Sequence, residues 1–217
     1  MYKLVIFDMD GTILDSDLVL VMTWTSLFKE FTPTKTPSLN QIMSFSGPPL
    51  VDSLKKTFPD VPVEYSKKRY MEVSHDFYYS YAKSYPGCKE VIEELRKRGI
   101  KVAVNTNKTN NHAWMSLDIL GFDKLFDSVV SGGDVKSMKP DPEGVYMIMD
   151  QLGITDKSEV LYVGDSYFDY ATAENAGIDC IISTLPPRKG IRNSGKLTPK
   201  YWFNGFEEFF DVLEGTL

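Results

Sequence analysis

Lys3-Leu4-Val5-Ile6-Phe7-Asp8-Met9-Asp10-Gly11-Thr12-Ile13-Leu14-Asp15-Ser16 decides the fold. Leu4 to Phe7 form an unbroken apolar run, which is how a strand buried on both faces reads, and the run stops at two carboxylates, a glycine and a threonine. A polar site is therefore expected at the C-terminal end of a central strand, the end at which open α/β sheets bind ligands. Asp8 and Asp10 are two residues apart, so on an extended backbone their side chains share one side, and Gly11 permits the sharp turn that leaves the strand. Two acids at one strand tip invite a divalent cation. An Asx turn would also accept Asp and Gly here, so the decision falls to the rest of the chain.

These residue types suit phosphoryl transfer. A carboxylate can carry the phosphoryl group as an aspartyl phosphate, splitting one hard displacement into two easier ones, and Asp8 is the candidate nucleophile. Asp10 is placed to protonate the leaving oxygen and later to take a proton from the attacking water. Both acids repel an anionic phosphate, so the arrangement requires a hard cation and further positive groups.

With 217 residues, 42% hydrophobic and 25% charged, the chain can bury one substantial core and a smaller second one. A net charge of -6 gives no electrostatic footprint for a nucleic acid polymer or an anionic membrane, so a phosphate ligand needs a local site. No stretch approaches the length of a membrane span, and the N-terminus enters its strand without a basic and apolar leader. The expectation is a cytoplasmic protein acting on a small phosphorylated metabolite. Cys88 and Cys180 stand in apolar contexts and read as buried reduced thiols.

From about 15 to 85 the periodicity is helical: Leu18 to Phe28, Leu39 to Phe45, Leu50 to Phe58 and Glu64 to Ser84, the last ended by Tyr85-Pro86-Gly87. A helical block this long between two strands of one sheet reads as an inserted domain. Its aromatic stripe from Phe77 to Tyr85 reads as core. Ser46-Gly47-Pro48-Pro49-Leu50 reads equally as a plain interhelical turn and as a rigid loop aimed into a cleft.

Past Gly87, helix and strand alternate. Strands are expected at Lys101 to Thr106, Asp127 to Ser131, Glu159 to Gly164 and Asp179 to Ser183. The first ends in Thr106, Asn107 and Lys108 ahead of a helix, a natural phosphate cradle, although a helix cap explains Thr-Asn nearly as well. Lys139, restricted to an extended conformation by Pro140, can aim its ammonium across the site. Asp165 stands at the mouth of the next helix and Asp169 one turn in, so both can face a cation from one side. The basic residues Arg188, Lys189, Arg192 and Lys196 read most simply as a solvated rim, with guidance of anions inward as the alternative.

Four polar segments in this order, each ending an expected strand, resemble the signature set of the haloacid dehalogenase superfamily in its phosphatase branch; the dehalogenases themselves lack the second acid that Asp10 supplies. The resemblance runs from Lys3 to about Ser183. It implies a three-layer α/β/α Rossmann-like core, residues 1–14 and 86–217, with a mainly parallel sheet in an order resembling 5-4-1-2-3, plus a helical cap over 15–85. It further implies Mg²⁺ held by the Asp8 carboxylate, the Asp10 backbone carbonyl and Asp165, with Asp169 ligating directly or through water. Thr106, Asn107 and Lys139 would hold the phosphate, Lys139 would neutralise the crowded charge, and Gly47 and Pro48 in the cap would meet the substrate. The implied activity is hydrolysis of a small phosphate monoester through an aspartyl phosphate, most like the phosphoglycolate phosphatases. The Ser46 to Leu50 loop also resembles a branch of 5′-nucleotidases. A sugar-phosphate mutase is disfavoured because Ser46 and Leu50 stand where mutases present Lys and Arg, and a non-catalytic module because the acids and Lys139 are all retained.

Overall fold

The computed structural model describes residues 1–185 and 197–214; Arg188, Lys189, Arg192 and Lys196 lie outside the described residues. The chain divides into two compact units, Met1–Leu14 with Ser84–Leu217, and Asp15–Lys83.

The second unit is helical: α1 (Asp17–Phe31), α2 (Leu39–Met43), α3 (Leu50–Thr57) and α4 (Val63–Tyr81). Trp24, Leu27, Phe28, Ile42, Leu54, Phe58 and Tyr70 form its core. The Trp24 ring stacks on Phe45 at 3.9 Å and on Phe58 at 6.0 Å, arrangements that aromatic quadrupoles favour. Two expectations change here. Helix α4 ends at Tyr81 rather than Ser84, because Ala82 is extended and Lys83–Ser84 form a short strand. The aromatic stripe is also only partly core. The helical period buries Ser66, Tyr70, Ser74 and Tyr78 on one face, which leaves Tyr79 and Tyr81 59% and 42% exposed. The loop between α2 and α3 turns at Gly47, whose φ is +101°, and Pro49 caps α3.

The first unit is built on a six-stranded sheet: β1 (Leu4–Phe7), β2 (Lys101–Asn105), β3 (Ser128–Val130), β4 (Val160–Gly164), β5 (Asp179–Ser183) and β6 (Tyr201–Phe203). The order is β3-β2-β1-β4-β5-β6 with every neighbouring pair parallel. The first five strands thus follow 5-4-1-2-3, and β6 extends the sheet beyond β5. β1 lies central and wholly buried, as its apolar run requires.

Strand alternation sorts the side chains to two faces. Leu4 and Ile6 pack with Val145, Ile148 and Met149 of α7 (Glu143–Gln151) and with Ala173 and Ala176 of α8 (Tyr167–Ala176). Phe7, on the opposite side of the pleat, stacks on Phe209 of the last helix, α9 (Phe209–Glu214), at 6.1 Å; α5 (Cys88–Lys97) packs on β2, and α6 (Asn110–Leu120) follows that strand in the chain. Cys88 and Cys180 are free and buried. Among the described residues no helix is long and apolar enough to cross a membrane.

Candidate active site

Parallel strands in register deliver their following residues at one end of the sheet. Phe7 aligns with Val104 and with Val163, which brings Asp8 level with Asn105 of β2 and Gly164 of β4. The Asp8 N–H donates to the Val163 carbonyl at 2.8 Å. Thr106, Asn107 and Lys108 follow β2, Asp165 and Ser166 follow β4, and Lys139 arrives from the loop between β3 and α7.

Lys139 is the electrostatic centre. Its Nζ donates to Asp8 Oδ1 and to Asp169 Oδ1, both at 2.6 Å, and all three residues are buried. Burial works against a charged ammonium, yet the Asp169 and Asp8 carboxylates hold Lys139 well above the ordinary lysine range. Asp8 is pushed up to about 7 by burial first and by the Asp169 charge second, against the pull of Lys139. The lysine backbone is clamped as well: Asn107 Oδ1 accepts from the Lys139 N–H at 2.9 Å, and Asn107 Nδ2 donates to the Lys139 carbonyl at 3.2 Å.

Asp169 works in two directions. One oxygen takes Lys139, while the other accepts from Ser166 Oγ at 2.5 Å, Ser166 N at 2.9 Å and Asp165 N at 3.2 Å. Ser166 Oγ accepts in turn from the Asp169 N–H, which completes a capping box at the start of α8. Gly164 makes this possible. A Cβ there would fall on the Asp169 side chain, so the close approach of strand end to helix start demands glycine.

Asp10 is more open and meets Lys108, whose Nζ donates to its two carboxylate oxygens at 2.8 and 2.7 Å. The ammonium is sheltered, with the Lys108 side chain 8% exposed. Gly11, at φ +85°, turns the chain so that the Met9 carbonyl accepts from Ile13 N and Leu14 N at 3.0 and 2.9 Å. Thr106 Oγ1 accepts from the Lys108 N–H at 3.2 Å.

Asp8, Asp165 and Asp169 offer carboxylate oxygens within 4.8 Å of one another, all from buried side chains. Hard oxygen donors in that number fit a divalent cation of the magnesium kind.

Seven residues singled out from the sequence, Asp8, Asp10, Thr106, Asn107, Lys139, Asp165 and Asp169, thus gather at one end of the sheet. Gly47 and Pro48 belong to the helical unit. Three contributors carry no role in the sequence reading: Lys108, the capping Ser166, and Tyr162, whose buried hydroxyl donates to the Asn105 carbonyl at 3.1 Å and whose ring centroid lies 6.0 Å from Lys139 Nζ. Lys108 was within reach of the sequence argument, because two acids at a strand tip call for positive groups and this lysine follows the neighbouring strand.

A parallel Rossmann-like sheet with acids and ammonium groups gathered at its strand ends defines an α/β enzyme. The chain belongs to the haloacid dehalogenase-like hydrolase family, whose model matches residues 5–183. It is 32% identical over 209 residues to the "Pyrophosphatase PpaX" of Halalkalibacterium halodurans, covering 96% of this chain and 95% of that relative. It is 31% identical over 176 residues to the "Pyrophosphatase PpaX" of Bacillus velezensis, covering 80% and 79%. Among solved structures, a predicted phosphoglycolate phosphatase from Haemophilus somnus superposes with a TM-score of 0.84 at 27% identity, covering 100% of this chain and 98% of that one.

Proposed function

We propose that the protein is a Mg²⁺-dependent phosphatase that hydrolyses a small phosphate compound, of the phosphoglycolate or pyrophosphate kind, through an aspartyl phosphate on Asp8. The observation that carries the reading is the Asp8–Lys139–Asp169 contact beside Asp165: one carboxylate is held forward by a buried ammonium within a cluster fit for a cation. The names borne by its relatives supply the two substrate kinds.

Asp8, Asp165 and the Asp10 carbonyl would hold the cation, with Asp169 behind them; the ion would supply positive charge to the phosphate oxygens. Lys139 lowers the repulsion between Asp8 and the incoming anion. A free oxygen of Asp8 attacks phosphorus in line as the P–O bond to the leaving group breaks, and Asp10 gives its proton to that departing oxygen. Asp10, now a carboxylate, takes a proton from water, whose oxygen attacks phosphorus and releases phosphate with Asp8 restored. Thr106 Oγ1 and the main-chain amides after β2 would bind phosphate oxygens. Asn107 would do so through its main chain, because its side-chain amide is spent on Lys139. The helical unit is inserted directly after the Asp8 segment, and it would be the part that selects the substrate, with Gly47 and Pro48 as the candidate residues for that.

The test is phosphate release from an aryl phosphate with and without Mg²⁺, in the wild type and in Asp8→Asn. Turnover should need the metal and vanish in the variant while its circular dichroism stays native. Hydrolysis by the variant at the wild-type rate would refute the assignment.

A further inference from the structure

The two ammonium groups of the site are divided between its two acids. Lys139 sits with Asp8 and Asp169, on the side of the attacking oxygen, whereas Lys108 sits on both oxygens of Asp10, on the side where the leaving group departs. We propose that Lys108 is a substrate-binding residue that recognises a negative charge carried by the leaving group itself, so that the site prefers phosphate compounds whose leaving group is an anion. The inference rests on the phosphatase reading above and deepens it.

The placement of Lys108 is built in. Its N–H is fixed on Thr106 Oγ1 at 3.2 Å, and its carbonyl accepts from the Gly132 N–H at 2.9 Å. The loop after β3 comes close enough that a Cβ on Gly132 would lie 2.7 Å from the Asn107 carbonyl oxygen. The backbone is thereby pinned on both sides of the ammonium's root, and the side chain is nearly closed off from water. A proton donor must lie about 2.6–3.2 Å from the oxygen it serves. Lys108 Nζ lies 2.8 and 2.7 Å from the two Asp10 oxygens, so the leaving oxygen falls within about 6 Å of the ammonium. Anionic oxygens two or three bonds beyond that oxygen come within direct reach, a condition met by the second phosphoryl of pyrophosphate and by the carboxylate of phosphoglycolate. A neutral alcohol brings no such partner and gains nothing from the ammonium, whereas an anionic leaving group gains a charge-assisted contact beside the one Asp10 already makes.

The experiment compares kcat/KM of the full chain with Mg²⁺ on pyrophosphate, phosphoglycolate and 2-hydroxyethyl phosphate, the last being phosphoglycolate with its carboxylate replaced by a neutral hydroxymethyl group. In Lys108→Met the anionic substrates should lose about ten- to a hundredfold more than the neutral one, the worth of one charge-assisted contact. The ratio of phosphoglycolate to 2-hydroxyethyl phosphate is the readout, since their alkoxide leaving groups need the Asp10 proton about equally and a shift of Asp10 would lower both alike, and Lys108→Arg should recover part of it. Equal losses on anionic and neutral substrates would overturn the inference while leaving the phosphatase standing. A wild type active on the neutral ester alone would do the same. A wild type inactive on all three and on an aryl phosphate would overturn both.

Discussion

Asp169 is the residue whose two possible jobs make opposite predictions. As a metal ligand its loss weakens cation binding; as a strut between the β4–α8 junction and Lys139 its loss weakens the fold. Asp169→Asn keeps the shape. The new amide oxygen can still accept from Ser166 Oγ, Ser166 N and Asp165 N, but the NH₂ then confronts Lys139 Nζ across a 2.6 Å contact that needs an acceptor. Breaking a buried ion pair outright costs roughly 3–5 kcal/mol. Lys139 keeps Asp8 as a second partner, so the loss is nearer that of one charge-assisted hydrogen bond, about 2–3 kcal/mol. For a chain of this size that lowers Tm by roughly 5–10 °C. Asp165→Asn is the control, expected to weaken Mg²⁺ binding while leaving the cation-free Tm within about 3 °C. Both are read by thermal unfolding without metal, followed by a Mg²⁺ titration. Should Asp169→Asn melt with the wild type and differ only in metal affinity, the strut argument is refuted.

Three further outcomes follow from the same geometry. Gly164→Ala should destabilise by about 1–3 kcal/mol by forcing the Asp169 side chain away and should reduce turnover with it; wild-type activity and urea midpoint would show that the junction has slack. Asn107→Ala removes both clamps on the Lys139 backbone and should lower stability by about 1–3 kcal/mol in urea unfolding, with a fall in kcat. Asp8 is raised from 3.8 to about 7, so without metal its contribution to stability is fully present below pH 4 and is lost as pH rises through about 7. Mg²⁺ selects the ionised carboxylate, hence the Tm gained on adding Mg²⁺ should be larger near pH 8 than near pH 6, and an equal gain at both would count against Asp8 as a ligand.

The sheet and the acids were legible because each announces itself locally. An apolar run that breaks at Asp8 and Asp10 fixes the central strand, and later runs ending at Thr106 and Asp165 fix its neighbours. What local pattern hides is how a polar side chain is divided among partners. An acid three residues after Ser166 looks the same whether it caps a helix or binds a cation, and Asp169 uses one oxygen for the cap while turning the other to Lys139. Asn107 looks like a phosphate donor until its amide is seen lying against the backbone of a residue 32 positions away. Lys108 stands in the polar end of its strand with no partner to be read there, and its distance to Asp10 supplies one. Closeness in sequence makes the aromatics of α4 look like one stripe, but the helical period turns Tyr79 and Tyr81 outward.

The ends of the sheet carry a consequence for solubility. Both outer strands, Ser128–Val130 and Tyr201–Phe203, are only three residues long. Strands that short are a poor template for a neighbouring chain, so the molecule limits edge-to-edge aggregation by trimming its borders.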